Sequence, residues 1–198
     1  MADHLSPMDR VKARARTGAE PIGRALARTG MTPNALTVVG CILNFGVGAI
    51  LALGYQWQGG ILVLVVGAFD TLDGALARAS GRATTFGAFL DSTLDRYSEA
   101  AIFFGILADA VRRGDIQVVL LTYAAAIGSL MVSYARARAE GLGLRGDVGW
   151  LQRPERVVIL GLGLILGLVV PALWIIAILT NLTALQRILH VRNLTRGS

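Results

Sequence analysis

Cysteine, lysine and histidine are almost missing from this chain of 198 residues. The one cysteine, Cys41, excludes an intrachain disulfide, and its place in an apolar run gives it a packing role. The two histidines, His4 and His190, stand far apart and suggest no ligand site. Together with the single thiol they argue against zinc. Lys12 is the only lysine, so the net charge of +6 rests almost wholly on arginine. Charged residues make up only 16% of the chain against 54% hydrophobic, and the mean hydropathy is +0.60. Such a balance leaves little polar surface for a separate soluble domain and suits a polytopic helical membrane protein. The first thirty residues are too charged for the apolar core of a cleavable signal peptide. An excess of basic residues can mean nucleic acid, but these flank apolar spans and fit an anionic membrane face or anionic substrates better.

What is present is a succession of apolar runs. Residues from about Pro7 to Arg28 alternate basic with small or apolar residues and read as one or two amphipathic helices lying along the bilayer surface. Thr32 or Asn34 can cap the helix that follows. Six spans are expected, near residues 35–53, 60–79, 86–108, 116–134, 155–168 and 171–189, the last two divided at Gly167 and Pro171. The expected fold is all-α: a single membrane domain over 1–198, with a juxtamembrane amphipathic segment, 1–30, and a six-helix bundle, 31–198. Sixteen of the nineteen basic residues then fall on one side, which the positive-inside rule makes cytoplasmic. A multi-pass protein of the cell membrane follows, its acids opening toward the cytoplasm.

Those acids are the anomaly. Asp70, Asp73, Asp91 and Asp95 lie within or beside the spans, where each Asp costs roughly 2.5–3.5 kcal/mol at a helix centre and needs a partner or a purpose. Spacings of three and four put each pair on one helix face. Gly74 and Gly87 share those faces and leave room for close approach. All-oxygen ligation suits a hard divalent cation, Mg²⁺ or Mn²⁺. A DxxD pair on a helix is usually a solvated face, but here the flanks are ILVLVVGAF and YSEAAIFFGILA. The acids could instead neutralise Arg78, Arg82 and Arg96 as structural ion pairs.

Asp70-x-x-Asp73-Gly74-x-x-Ala77-Arg78, eight residues, then Gly87-x-x-x-Asp91-x-x-x-Asp95 resembles the signature of the CDP-alcohol phosphotransferases without a departure. Eight positions fixed at that spacing make a highly specific match. The resemblance implies an integral membrane enzyme that transfers a substituted phosphate from a CDP-linked donor to an alcohol and releases CMP. It implies two divalent ions, with Asp70, Asp73 and Asp91 as main ligands, and Asp95 as general base also touching the second ion. It places Asp73, Gly74 and Arg78 at the nucleotide, with Pro33, Asn34, Thr37 and Thr84 as further donor-site candidates, and it favours a homodimer.

The acceptor is where this family divides. Ser133-Tyr134-Ala135-Arg136-Ala137-Arg138-Ala139-Glu140, with Gly143-Leu144-Arg145-Gly146-Asp147 and Arg153-Pro154-Glu155-Arg156, resembles the actinobacterial members that make phosphatidylinositol phosphate. That likeness implies CDP-diacylglycerol as donor and inositol phosphate as acceptor, the acceptor being met by Ser133, Arg136, Arg153, Arg156 and Arg192. A dianionic phosphomonoester wants two or more guanidinium groups. Those relatives often carry Lys where this chain has Arg136, which keeps the charge and changes reach. A phosphatidylglycerol phosphate synthase using glycerol 3-phosphate shares the same acids, and a non-enzymatic cation carrier would use them for passage. Asn181-Leu182-Thr183 and Asn193-Leu194-Thr195 match the glycosylation pattern by chance, and Gly163-x-x-x-Gly167 can pack helices within or between chains.

Overall fold

The computed structural model describes Pro21, Ala25 and residues 30–144, 146 and 148–196. Apart from Pro21 and Ala25, the surface helices expected before residue 30 lie outside the described residues, as do Arg145 and Asp147. Among those residues the structure is wholly helical: α1 (Pro33–Ala52), α2 (Gln56–Phe69), α3 (Thr71–Ser80), α4 (Thr85–Arg113), α5 (Ile116–Gly141), α6 (Arg153–Ile165) and α7 (Val169–Thr195). Only Asp70 separates α2 from α3. Its backbone stays right-handed helical, and its N–H donates to the Val66 carbonyl at 2.9 Å, so residues 56–80 form one rod and residues 33–195 make six among those described.

Local chemistry sets the ends. Thr32 Oγ1 accepts from the Ala35 N–H at 3.2 Å ahead of α1, and Asp115 Oδ1 accepts from Val118 at 3.1 Å ahead of α5. Gln152 and Glu155 form a reciprocal cap on α6, with the Glu155 side chain accepting from the Gln152 N–H at 3.0 Å. Gly81 closes α3 at φ +64°, a backbone state that a Cβ would strain. The break between α6 and α7 falls at Gly167, as the sequence suggests. Pro171 does not break anything: it sits in the first turn of α7, where its missing N–H has no helical partner to lose. One expectation is corrected at α5, which runs on to Gly141. Arg136 and Arg138 are therefore helical rather than part of a loop, because Ala, Arg and Glu are strong helix formers and Arg136 pairs with Glu140 one turn away at 2.7 Å.

Four helices, Pro33–Ala52, Gln56–Ser80, Ile116–Gly141 and Val169–Thr195, are long and apolar enough to cross a membrane. Of the other two, α4 has the length, at 29 residues, but carries Asp91, Asp95, Arg96, Glu99 and Asp109. With 13 residues, α6 reaches only about 20 Å at the usual helical rise. Large apolar side chains such as Ile42, Phe45, Phe104 and Leu120 point outward, as lipid-facing surfaces do and soluble surfaces do not.

The chain falls into two compact units, residues 1–43 with 66–98, and residues 44–65 with 99–198. In the second unit α5 and α7 pack along buried small residues, Ala125, Gly128 and Ser129 against Ala177, Thr180 and Ala184. A Cβ at Gly128 would collide with Thr180, so absence of a side chain there sets how closely the helices approach. Gly163 likewise faces Ala172 of the same chain. Asp109 is only 1% exposed and accepts from Gln56 at 2.7 Å, Arg112 at 2.6 Å and Arg113 at 3.0 Å. Asp115 instead caps α5.

Candidate active site

The first unit holds the acids. Thr37, one turn into α1, donates from Oγ1 to Asp73 Oδ2 at 2.9 Å, and Oδ1 of the same carboxylate accepts from the Gly74 N–H at 2.5 Å. Asp73 also interacts directly with Asp91 of α4. Like charges held this close call for a proton or a cation between them. Asp70, Asp73, Asp91 and Asp95, with Thr37 and Ser98, line a cavity of about 10 Å³. That is room for one water-sized occupant. Cys41, buried, also borders it.

Among the described residues no three carboxylate, imidazole or thiolate groups already converge at ligating distance. The residues nevertheless fit a hard cation: the charged donors are all carboxylate oxygens, and the space matches a single ion. Asp95 lies 3.6 Å from the Arg96 guanidinium, which also donates to the Ser92 carbonyl at 2.5 Å. That long, partly solvated contact is a weak tether, and the Asp95 side chain keeps 19% of its surface open.

Thr37, Asp73 and Asp91 also line a second, larger cleft of about 250 Å³. Pro33, Asn34, Gly74, Arg78 and Thr84 line it too, so all seven donor-site candidates border one space. Thr84 has a structural task as well, since its Oγ1 accepts from the Gly87 N–H at 2.9 Å and caps α4. A Cβ on Gly87 would stand 3.0 Å from both Asn34 Oδ1 and Thr84 Oγ1, so this glycine keeps the mouth open. Two residues of the site escape sequence reasoning. Arg82 adds a second guanidinium to the cleft from the loop. Gly40, buried on α1, lies beneath Asp70, whose Oδ1 would be 2.5 Å from a Cβ placed there.

The five acceptor candidates belong to the second unit. The Ser133 hydroxyl donates to the Ser129 carbonyl at 3.3 Å within α5. Arg136 pairs with Glu140 on an exposed face. Arg153 opens α6, half-buried, and Arg192 is exposed near the end of α7. Arg156 is 2% exposed and bonds Glu99. None of the five lines the hollow of about 390 Å³ between the loop at Trp150 and His190 of α7.

Arg187 was legible only as part of a basic tail, yet it is 3% exposed inside α7. Its guanidinium donates to the Val148 carbonyl at 2.7 Å and to that of Val132, tying the loop before α6 to both α5 and α7. Thr183 supports the same seat by accepting from the Leu151 N–H at 3.3 Å. Arg187→Ala is expected to cost about 2–4 kcal/mol, since it removes two charge-assisted hydrogen bonds from an enclosed guanidinium and with them the tie between the loop and α5. Arg187→Lys should recover only part, because one ammonium does not reproduce the fork. Thermal denaturation of the two variants checks this, and equal midpoints for Arg187→Ala and the wild type would refute it.

The helical chain, with apolar side chains turned outward, sets two carboxylate pairs around one small cavity, and one member of each pair, Asp73 and Asp91, also borders the larger cleft. The sequence profile of the CDP-alcohol phosphatidyltransferases matches residues 30–190, and the chain belongs to that family. The archaetidylinositol phosphate synthase of Pyrococcus horikoshii is 39% identical over 188 residues, covering 93% of this chain and 96% of that protein. The phosphatidylinositol phosphate synthase of Mycobacteroides abscessus is 40% identical over 183 residues, or 87% and 82% of the two chains. The crystal structure of Mycobacterium tuberculosis phosphatidylinositol phosphate synthase with CDP-DAG bound is similar at a TM-score of 0.82 and 35% identity, across 87% of this chain and 92% of that one. The same enzyme in complex with manganese and citrate has the same score, across 87% and 88%.

Proposed function

We propose that this protein transfers the phosphatidyl group of CDP-diacylglycerol to a hydroxyl of inositol phosphate, releasing CMP. The observation that carries the reading is the continuity of the two cavities: Thr37, Asp73 and Asp91 border both the single-ion space and the cleft holding Arg78. At about 250 Å³ the cleft falls just under the roughly 300–1,000 Å³ that encloses a drug-sized ligand, so it suits a nucleotide headgroup and not acyl chains. The acceptor reading leans on the relatives. Their names differ in the lipid, archaetidyl against phosphatidyl, and share inositol phosphate.

Asp70, Asp73 and Asp91 would hold Mg²⁺ or Mn²⁺, with Asp95 reaching a second ion. The bound cations would neutralise the diphosphate and make its lipid-side phosphorus open to attack. Thr37 fixes the Asp73 carboxylate, and Arg78 offers its planar fork to a phosphate oxygen. Asp95 takes the proton of the attacking hydroxyl. A new bond forms from that oxygen to the lipid-side phosphorus, the bond from this phosphorus to the CMP oxygen breaks, and CMP leaves as an anion without needing a proton. Ser133, Arg136, Arg153, Arg156 and Arg192 receive the acceptor phosphate.

The same reading makes α4 and α6 membrane-crossing with the other four rods, α4 because its acids face inward to the site. It treats 1–198 as one catalytic domain, in a homodimer of the plasma membrane whose sites open to the cytoplasm. An acceptor competition tests it: purified protein in bilayers with CDP-diacylglycerol, Mn²⁺ and either inositol phosphate, free inositol or glycerol 3-phosphate. CMP release at least tenfold faster with inositol phosphate is expected. Preference for glycerol 3-phosphate would make the protein a phosphatidylglycerol phosphate synthase instead, and cation flux without CMP release would make it a carrier.

A further inference from the structure

Glu99 follows Asp95 by one helical turn on α4, in a stretch that otherwise reads as apolar span. Its carboxylate accepts from Arg156 Nε at 2.7 Å and from Nη2 at 3.0 Å, a two-pronged pair joining α4 to α6 within the second unit. The pair is enclosed, with side-chain exposures of 3% for Arg156 and 15% for Glu99. The third nitrogen, Nη1, is buried and has no hydrogen-bond partner.

That leftover group is the informative part. A guanidinium carries five N–H donors, and the two bonds to Glu99 leave both hydrogens of Nη1 unspent. An orphaned buried donor is costly, and apolar residues tie helices together at least as well as a buried ion pair does. The backbone at Arg156 is fixed too, since its N–H donates to the Gln152 carbonyl at 3.2 Å inside the reciprocal cap of α6. Both the main chain and two of the three nitrogens are thus held, while the last is buried and unused. A planar donor pair of this kind matches an anionic oxygen of a phosphomonoester.

We propose that Glu99 is a positioning residue for the acceptor: it clamps the Arg156 guanidinium so that Nη1 is set in advance for the phosphate of the incoming alcohol. This rests on the reading of the acceptor as a phosphorylated alcohol. Glu99 also balances the Arg156 charge while the site waits for that anion, which keeps a buried guanidinium tolerable between turnovers.

The test uses the full chain in bilayers, with CDP-diacylglycerol, Mn²⁺ and inositol phosphate, and reads CMP release and thermal midpoint. Glu99→Gln should raise the acceptor KM about tenfold or more, with the donor KM and the rate at saturating acceptor within about twofold. Its midpoint falls because a buried guanidinium loses its counter-charge. The double variant Glu99→Gln/Arg156→Gln removes both charges together, so its midpoint should recover while its acceptor KM stays high. Recovery of both would show a purely structural pair and overturn the proposal, as would equal rises of donor and acceptor KM in Glu99→Gln. A wild type that prefers glycerol 3-phosphate refutes only the inositol reading, and the Glu99 variants are then measured with that acceptor against the same criteria. Turnover of free inositol as fast as inositol phosphate overturns both.

Discussion

Asp95→Asn is expected to lower CMP release by between about 10² and 10⁴, the range that a positioned general base supplies. Asparagine keeps the shape of the side chain and removes its capacity to take a proton. The structure favours a selective loss. Asp95 borders the small cavity through a side chain that is still partly open, and its contact with the Arg96 guanidinium is 3.6 Å long. A contact that long supplies little of the fold's stability, and a neutral amide is cheaper than a carboxylate at membrane depth. The thermal midpoint should therefore hold or rise, and CDP-diacylglycerol should still bind. Single-turnover CMP release, paired with donor binding, separates the two effects. Turnover within tenfold of the wild type would remove Asp95 from the proton transfer.

The acids were readable in the sequence because helical spacing converts position into direction. Three- and four-residue intervals put Asp70 with Asp73, and Asp91 with Asp95, on single faces, and the structure sets all four around one cavity. The division at Gly167 was readable for a similar reason, since a left-handed backbone state at φ +70° is cheap only for glycine. What escaped depends on residues distant in sequence. Glu99 and Arg156 are 57 positions apart, and Arg187 reaches Val132 across 55. No periodicity encodes such meetings, so Arg156 read as an acceptor contact with no carboxylate partner named, and Arg187 as part of a tail. The extent of α5 escaped through competing signals: a run of arginines marks a membrane face, while the same Ala-Arg-Glu composition prolongs a helix. Charge position was readable, and backbone state was overruled by propensity.

Gly40→Ala should separate stability from activity in the opposite direction to a core defect. Gly40 is buried in the interior of α1, where alanine is intrinsically the better helix former by about 1 kcal/mol. The added methyl would stand 2.5 Å from Asp70 Oδ1 and 3.6 Å from its Cγ, closer to the oxygen than van der Waals contact allows. The carboxylate is the end of a short side chain and is the part that gives way, swinging off Gly40 by most of an ångström. A displacement of that size at a catalytic constellation costs about 10²-fold in rate. The prediction is therefore a midpoint within a few degrees of wild type, CMP release down about a hundredfold, and a higher Mn²⁺ concentration for half-maximal rate. Gly46→Ala is the matched control, on the same helix with no atom within 4 Å of the new methyl, and should leave both rate and Mn²⁺ dependence unchanged. If Gly40→Ala and Gly46→Ala turn over alike, the placement of the Asp70 oxygen over α1 has no part in catalysis, and Asp70 loses its assignment as a ligand.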